Sequence, residues 1–270
     1  MPRFSANLTL LFSEVPFMER FQQARAAGFT AVEAGFVAAE PTFPYEYDID
    51  AIAAEVGRLR LRQVLFNLPV GNREKGDRGI AAHPARRQEF RDGVRVAVDA
   101  ARRLDCRLLN CLVGLRDEAI PYPEQRACLV DNLRLAARTL ETAGLTLLVE
   151  AVNTYDLPRF FLSRSADVIS LLEEVASPNV RLQYDVYHMQ RMEGNIVPTI
   201  RALLPRIGHV QIADPPDRHQ PGTGELNFLY ILRALDEAGY TGHVGLEYRP
   251  LGSTRDSLRW VETMGFSLAS

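Results

Sequence analysis

Cysteine is scarce in this chain of 270 residues: there are three, Cys106, Cys111 and Cys128, without C-x-x-C spacing. An odd, unpatterned set excludes a disulfide framework and a thiolate zinc site, and a reducing cytoplasm is the simplest setting for it. No apolar stretch approaches about 18 residues, so a membrane-spanning helix is not expected. The start, MPRFSANLTLLF, has no basic leader before a long apolar core, so secretion is not expected either. Charge of one sign is also lacking. Lys plus Arg number 31 against 34 for Asp plus Glu, a net charge of −3, which leaves no broad footprint for nucleic acid or an acidic membrane. The partners expected are therefore small molecules, with no nucleic acid and no membrane; a homo-oligomer stays open.

Apolar residues make up 47% of the chain, enough to bury a sizeable core. Four short apolar runs each end in an oxygen-bearing side chain: LTLLVE at Glu150, VRLQYD at Asp185, IGHVQ at Gln211 and HVGLE at Glu247. Each is followed by loop residues and then a helical pattern, and they recur at about 30 residues, the length of a strand, loop, helix and return. This is the layout of a β/α barrel whose site lies at the strand ends. A lone acid at a strand end is more often a solvated loop residue, but periodic recurrence sets these four apart.

The remaining chain fits the same repeat. Strands are expected at 3–7, 31–33, 61–66 and 107–111, ahead of the four runs at 145–150, 180–185, 207–211 and 243–247. Helices are expected at 16–27, 49–60, 84–104, 123–143, 165–176, 196–204, 228–238 and 254–264, with Pro16 suited to a first turn and Gly28 to a stop. The whole reads as a single α/β domain over 1–270, a (β/α)8 TIM barrel. The polar loop GNREKGDRG, 71–79, lacks both the GK[ST] ending and the G-x-G-x-x-G spacing of phosphate cradles, and reads as a mobile lid.

Other side chains carry two readings each. His188, three residues after Asp185, could bond a substrate oxygen or cap a loop, while His209, alternating with Gln211, reads as a satisfied core histidine. Glu33 closes the second strand and reads as structural or as a support behind the ligands. Phe12, Phe36, Phe43, Tyr45 and Phe66 read as core or pocket wall, and Trp260, the single tryptophan, as packing between helices or subunits.

The strings VEAVNTYD, QYDVYHMQRMEGN, HVQIADPPDRHQPGTGELN and GLEYRP, with RFSANLTLLF at the start, are long and unusual. On them the chain resembles the hydroxypyruvate isomerase family of the xylose isomerase-like barrel group, nearly end to end. The opening MPRFSANLTLLFSEVPF also resembles the 2-oxo-tetronate isomerase branch. The resemblance implies an isomerase that moves a carbonyl between adjacent carbons of a small hydroxylated keto acid. It implies Glu150 and Glu247 as catalytic carboxylates, with Asp185 and Gln211 completing a divalent-metal set of Glu150, Asp185, Gln211 and Glu247. It also implies His188, Arg218 and Asp156 as substrate contacts. Many relatives in the wider group carry histidine where this chain has Gln211, so the set here is all-oxygen. Asn72 and Arg73 stand where the family carries an Asp-Trp pair, and VAAEPT lengthens the stretch before FPYEYD.

The chemistry asks for these residue types. Isomerising hydroxypyruvate to tartronate semialdehyde removes a proton beside a carbonyl, holds an enediolate and returns the proton to the neighbouring carbon, work for carboxylates with tuned proton affinities. Three carboxylates and an amide oxygen suit Mg²⁺ or Mn²⁺ better than zinc. Arg218, in the loop after Gln211, would grip a substrate carboxylate through parallel hydrogen bonds; taken alone it would be an exposed loop residue paired with Asp214 or Asp217. A ketose 3-epimerase-like activity is a further alternative. An abasic-DNA endonuclease should show several metal-binding histidines and a basic groove, and a non-catalytic sugar-acid binder would show no turnover.

Overall fold

The computed structural model describes residues 1–34 and 48–269. Eight parallel strands close into a barrel in chain order: β1 (Arg3–Asn7), β2 (Ala31–Ala34), β3 (Arg62–Asn67), β4 (Leu108–Cys111), β5 (Thr146–Glu150), β6 (Val180–Asp185), β7 (Ile207–Ile212) and β8 (His243–Leu246). β8 pairs back onto β1, with Phe4 opposite Val244 and Ala6 opposite Leu246. The helices are α1 (Phe17–Ala26), α2 (Ile49–Arg58), α3 (Arg87–Arg103), α4 (Tyr122–Thr142), α5 (Ser165–Val175), α6 (Val186–Met192), α7 (Ile196–Leu203), α8 (Phe228–Glu237), α9 (Thr254–Ser257) and α10 (Arg259–Thr263). Among the described residues none of them is long and apolar enough to cross a membrane.

Side chains of a strand alternate between its two faces, and here the alternation separates apolar from polar. Phe4, Ala6, Val32, Leu147, Val149, Leu182, Val210, Val244 and Leu246 are buried members of the hydrophobic core. Trp260 of α10 packs edge-on against Phe4 at 5.7 Å, a contact within the chain. Between these positions stand Ser5, Asn7, Glu33, Glu150, Gln183, Asp185, His209 and Gln211, all buried too. Barrel interiors are ordinarily filled with branched apolar residues, and buried polar groups are costly unless hydrogen-bonded. A polar interior therefore needs partners inside the barrel, and each of these side chains makes at least one hydrogen bond there, although Asp185 Oδ2, Gln183 Oε1 and His209 Nδ1 have none.

Five details differ from the pattern read in the sequence. Asp185 ends β6 and at the same time caps α6, its Oδ1 accepting from the Tyr187 backbone N–H at 2.8 Å, so no loop separates strand from helix. β8 stops at Leu246, leaving Glu247 one residue past the strand. The residues Pro84–Arg86 form a 3-10 turn ahead of α3, and the last helix divides into α9 and α10. The loop read as a lid is closed on itself and seated on the end of β4. Asn72 N–H donates to Asp77 Oδ2 at 2.6 Å, Arg86 Nη1 donates to the same oxygen at 2.7 Å, and a Cβ on Gly79 would fall 1.9 Å from the Leu112 carbonyl oxygen. Phe36, Phe43, Tyr45 and the VAAEPT stretch lie outside the described residues.

Candidate active site

The ends of β5, β6 and β8 bring three carboxyls together at one mouth of the barrel. Ligand atoms of Glu150, Asp185 and His188 lie within 4.8 Å of one another, all three residues buried. Asp185 and Glu247 both flank the Arg218 guanidinium. Arg218 Nη2 donates to Glu247 Oε2 at 2.7 Å and stands 3.5 Å from Asp185 Oδ2. Asn110, from β4, donates to Glu150 Oε2 at 2.9 Å and to Asn67 Oδ1 at 3.2 Å.

Crowding of acids in a low-dielectric cavity sets their proton affinities. Burial, then the Glu247 and Asp185 charges, push the Glu150 carboxyl well above the usual carboxylate range. Burial also raises Asp185, with Arg218 opposing it in part. Glu247 is driven up to about 8 by burial and the Asp185 charge, against the pull of Arg218. Burial works against the Arg218 cation, yet Glu247, Asp185 and Glu150 outweigh it and keep the guanidinium charged.

Arg218 reaches this position because its loop is built around Asp214. Asp214 Oδ2 accepts from the backbone N–H groups of Gly222, Thr223 and Gly224, at 2.9, 3.1 and 2.9 Å, and Oδ1 accepts from Leu226 N–H at 3.1 Å. A side chain at 224 would collide with Pro215 O and Asp214 Oδ1, which accounts for the second glycine of PGTGE. With Asp214 committed to its own loop, Arg218 takes a left-handed backbone, φ 62°, a conformation that costs on the order of 1 kcal/mol or more outside glycine. Its carbonyl accepts from Arg249 N–H at 2.7 Å, and its guanidinium lies 5.1 Å over the Tyr187 ring. The pairing with Asp214 or Asp217 that a bare sequence suggests is replaced by the pairing with Glu247.

Gln211, opposite Asp185 in the β6–β7 register, ties the mouth to the polar residues around Glu33. Its Nε2 donates to Glu33 Oε1 at 2.7 Å, and its Oε1 accepts from Gln183 Nε2 at 2.6 Å. Glu33 also takes hydrogen bonds from Ser5 Oγ (2.9 Å) and Asn7 Nδ2 (3.1 Å), and pairs with His209 Nε2 at 2.8 Å. Burial pushes the Glu33 carboxyl up, but His209 and the surrounding donors outweigh burial and hold it below its ordinary value. So the two sets of acids differ: Glu33 is ionised and saturated, whereas the mouth carboxyls are protonated more readily and less saturated. Asp185 Oδ2 is buried without a hydrogen-bond partner.

Asp156 lies one layer out and is exposed; its Oδ2 accepts from Tyr187 Oη at 2.8 Å and Asn153 Nδ2 at 3.0 Å. Arg191 stands beside it, 4.6 Å over the Tyr155 ring and donating to Pro216 O at 2.6 Å. The structure thus gathers Glu150, Asp185, Glu247, His188 and Arg218 directly, sets Gln211 next to Asp185 in the β6–β7 register, and leaves Asp156 at the rim. Asn110, Asn153, Gln183 and Tyr187 are added by the fold. The polar residue inside LLNC was the one sequence signal for Asn110.

Residues 21–264 match the profile of the family described as xylose isomerase-like TIM barrel. The hydroxypyruvate isomerase of Escherichia coli (strain K12) is 43% identical over 262 residues, covering 97% of this chain and 99% of that protein. The 2-oxo-tetronate isomerase of Cupriavidus necator is 37% identical, covering 97% and 98%. A solved structure from Brucella melitensis described as AP endonuclease, family 2, has a TM-score of 0.92 at 43% identity, covering 97% of this chain and 99% of that one.

Proposed function

Because this chain belongs to the xylose isomerase-like TIM barrel family, we propose that it is a hydroxypyruvate isomerase working as one barrel domain. The observation that carries the reading is the gathering of buried Glu150 and Asp185 with half-buried Glu247, opposed by Arg218 and His188. The 43% identity to a hydroxypyruvate isomerase over nearly the full length supports the substrate. A 2-oxo-tetronate isomerase is the second reading, supported by the 37% relative. The endonuclease description of the Brucella structure fits this mouth less well. Among the described residues one group of acid, cysteine and histidine side chains is close enough to hold a cation, and it has a single histidine.

Glu150, Asp185, Gln211 and Glu247 would hold a divalent cation, Mg²⁺ or Mn²⁺. The donors fit such an ion: hard oxygens, an orphaned buried Asp185 Oδ2, and carboxyls whose proton affinity is raised by repulsion that a cation relieves. When bound, it supplies Lewis-acid stabilisation of negative charge on the substrate oxygens.

The chain's own residues do the rest. One of the two glutamates, Glu150 or Glu247, takes a proton from C3 of hydroxypyruvate, and a carboxyl returns a proton at C2. A proton passes from the C3 hydroxyl oxygen to the C2 oxygen, so that ketone and alcohol exchange places without net oxidation. Arg218 grips the substrate carboxylate and His188 donates to an oxygen that gains charge, and the burial of His188, Glu150 and Asp185 strengthens these contacts. A reducing, cytoplasmic setting is part of the proposal, supported by Cys106, Cys111 and Cys128 being buried and free. The test is a panel of hydroxypyruvate, 2-oxo-tetronates and neutral ketoses with products identified by NMR. Hydroxypyruvate should give tartronate semialdehyde with the highest kcat/KM, and preference for another compound would replace the assignment.

A further inference from the structure

Glu150, Asp185 and His188 are spaced like metal ligands, but whether His188 can be one depends on which ring nitrogen carries the proton. Asn153 decides this. The backbone N–H of Asp156, which can only donate, meets Asn153 Oδ1 at 2.8 Å and so fixes which end of the amide is oxygen. The other end, Nδ2, lies 3.0 Å from Asp156 Oδ2 and 2.7 Å from His188 Nδ1. An amide nitrogen has two hydrogens and no acceptor capacity, so Asp156 takes one and His188 Nδ1 takes the other. The Asn153 backbone N–H points at the same ring nitrogen, at 3.4 Å.

A ring nitrogen that accepts from two donors carries no proton, and the hydrogen of the neutral ring is then on Nε2. That atom lies 3.4 Å from Asp185 Oδ2 and 4.0 Å from Glu150 Oε1, inside the site. Asn153 is fully buried and His188 nearly so, leaving no solvent to compete for Nδ1. Burial and the Arg218 and Arg191 charges also lower the basicity of the ring, in keeping with a neutral imidazole.

We propose that Asn153 is a positioning residue that fixes the His188 proton on Nε2, making His188 a hydrogen-bond donor to the substrate and excluding it from the metal ligands. Tyr187 completes the device by donating its hydroxyl to the same Asp156 Oδ2 at 2.8 Å, so that Tyr187, Asp156 and Asn153 form one chain ending on the ring. What the donor does for the substrate rests on the isomerase reading; where the proton sits does not.

Long-range ¹H–¹⁵N spectra of the full-length, ¹⁵N-labelled, metal-free protein test this, with His188 assigned by its loss in His188→Gln. Nε2 should be the protonated nitrogen and Nδ1 the bare one. In Asn153→Asp a carboxylate would accept from Nδ1–H, so the pattern should reverse and kcat/KM on hydroxypyruvate should fall by about tenfold or more, the usual scale for losing an orienting partner. Should that variant not fold, Asn153→Ala should give a mixture of the two tautomers. Mg²⁺ at saturation should leave the Nε2 proton in place. A wild-type His188 protonated on Nδ1, an unreversed pattern in Asn153→Asp, or loss of the Nε2 proton on adding Mg²⁺ would each overturn the proposal. The expected spectra in a protein that does not turn over hydroxypyruvate would instead overturn the functional reading alone.

Discussion

The carboxylate of Glu33 occupies the space that a side chain at Gly245 would need: a Cβ there would lie 2.4 Å from Oε1 and 2.5 Å from Oε2. The glycine of HVGLE is thus the opening through which a β2 acid reaches Gln211 across the barrel. Gly245→Ala should overpack this layer, destabilising the protein by about 1–3 kcal/mol, and should weaken Mg²⁺ binding by disturbing Gln211. Denaturant unfolding and calorimetric titration check the two effects; an unchanged stability would contradict the packing.

Raised carboxyl proton affinities make a statement about stability. Glu247, at about 8, holds its proton more tightly in the folded than in the unfolded chain, and Glu150 and Asp185 are displaced in the same direction. Their contribution is therefore fully present below the ordinary carboxylate pKa and is lost as pH rises through about 8. The Tm of the metal-free protein should fall from about pH 5 to about pH 9, and Mg²⁺ should recover more of it at the alkaline end, where the ligands are ionised. A Tm that rises over this window would contradict the crowding of acids.

Metal removal should reduce turnover, and readdition of Mg²⁺ or Mn²⁺ should restore it. Gln211→His keeps a donor toward Glu33, since Nδ1–H can replace the amide hydrogen, while presenting nitrogen to the cation. This variant should shift preference toward Co²⁺. Competition titrations read the shift, and an unchanged metal order would remove residue 211 from the ligand set.

Much of this site was legible in the sequence because four apolar runs each ended in one oxygen-bearing residue, and strand ends are where a parallel barrel exposes its side chains. What stayed hidden depends on contacts across the barrel. Asn110 and Asn153 are neutral amides whose roles come from Glu150 at the end of β5 and His188 on α6, elements distant in sequence from each amide's own. Helix α6 could not be read because Asp185 serves as strand end and helix cap at once, leaving no loop residue to mark the boundary. Glu33 was visible as an acid closing β2, but its donors come from β1 and β7, which no local pattern connects.

Arg218 already holds Glu247 at 2.7 Å, so its loss affects both the substrate carboxylate and the acid beside it. Arg218→Ala should weaken hydroxypyruvate use by roughly 1.5–3 kcal/mol in kcat/KM, the scale of a charged hydrogen bond, with a smaller effect on slow turnover of a neutral ketose. Equal losses on both substrates would remove Arg218 from acid recognition.

The central claim is that Glu150 and Glu247 move a carbon-bound proton of hydroxypyruvate, and solvent isotope incorporation tests it most directly. In deuterated water, proton NMR of the reaction should show deuterium at C2 of the tartronate semialdehyde formed and at C3 of recovered hydroxypyruvate. Glu150→Gln and Glu247→Gln, with unchanged melting profiles, should slow incorporation by on the order of 10² or more. Incorporation at the wild-type rate in either variant, or none by the wild-type protein, would contradict the account.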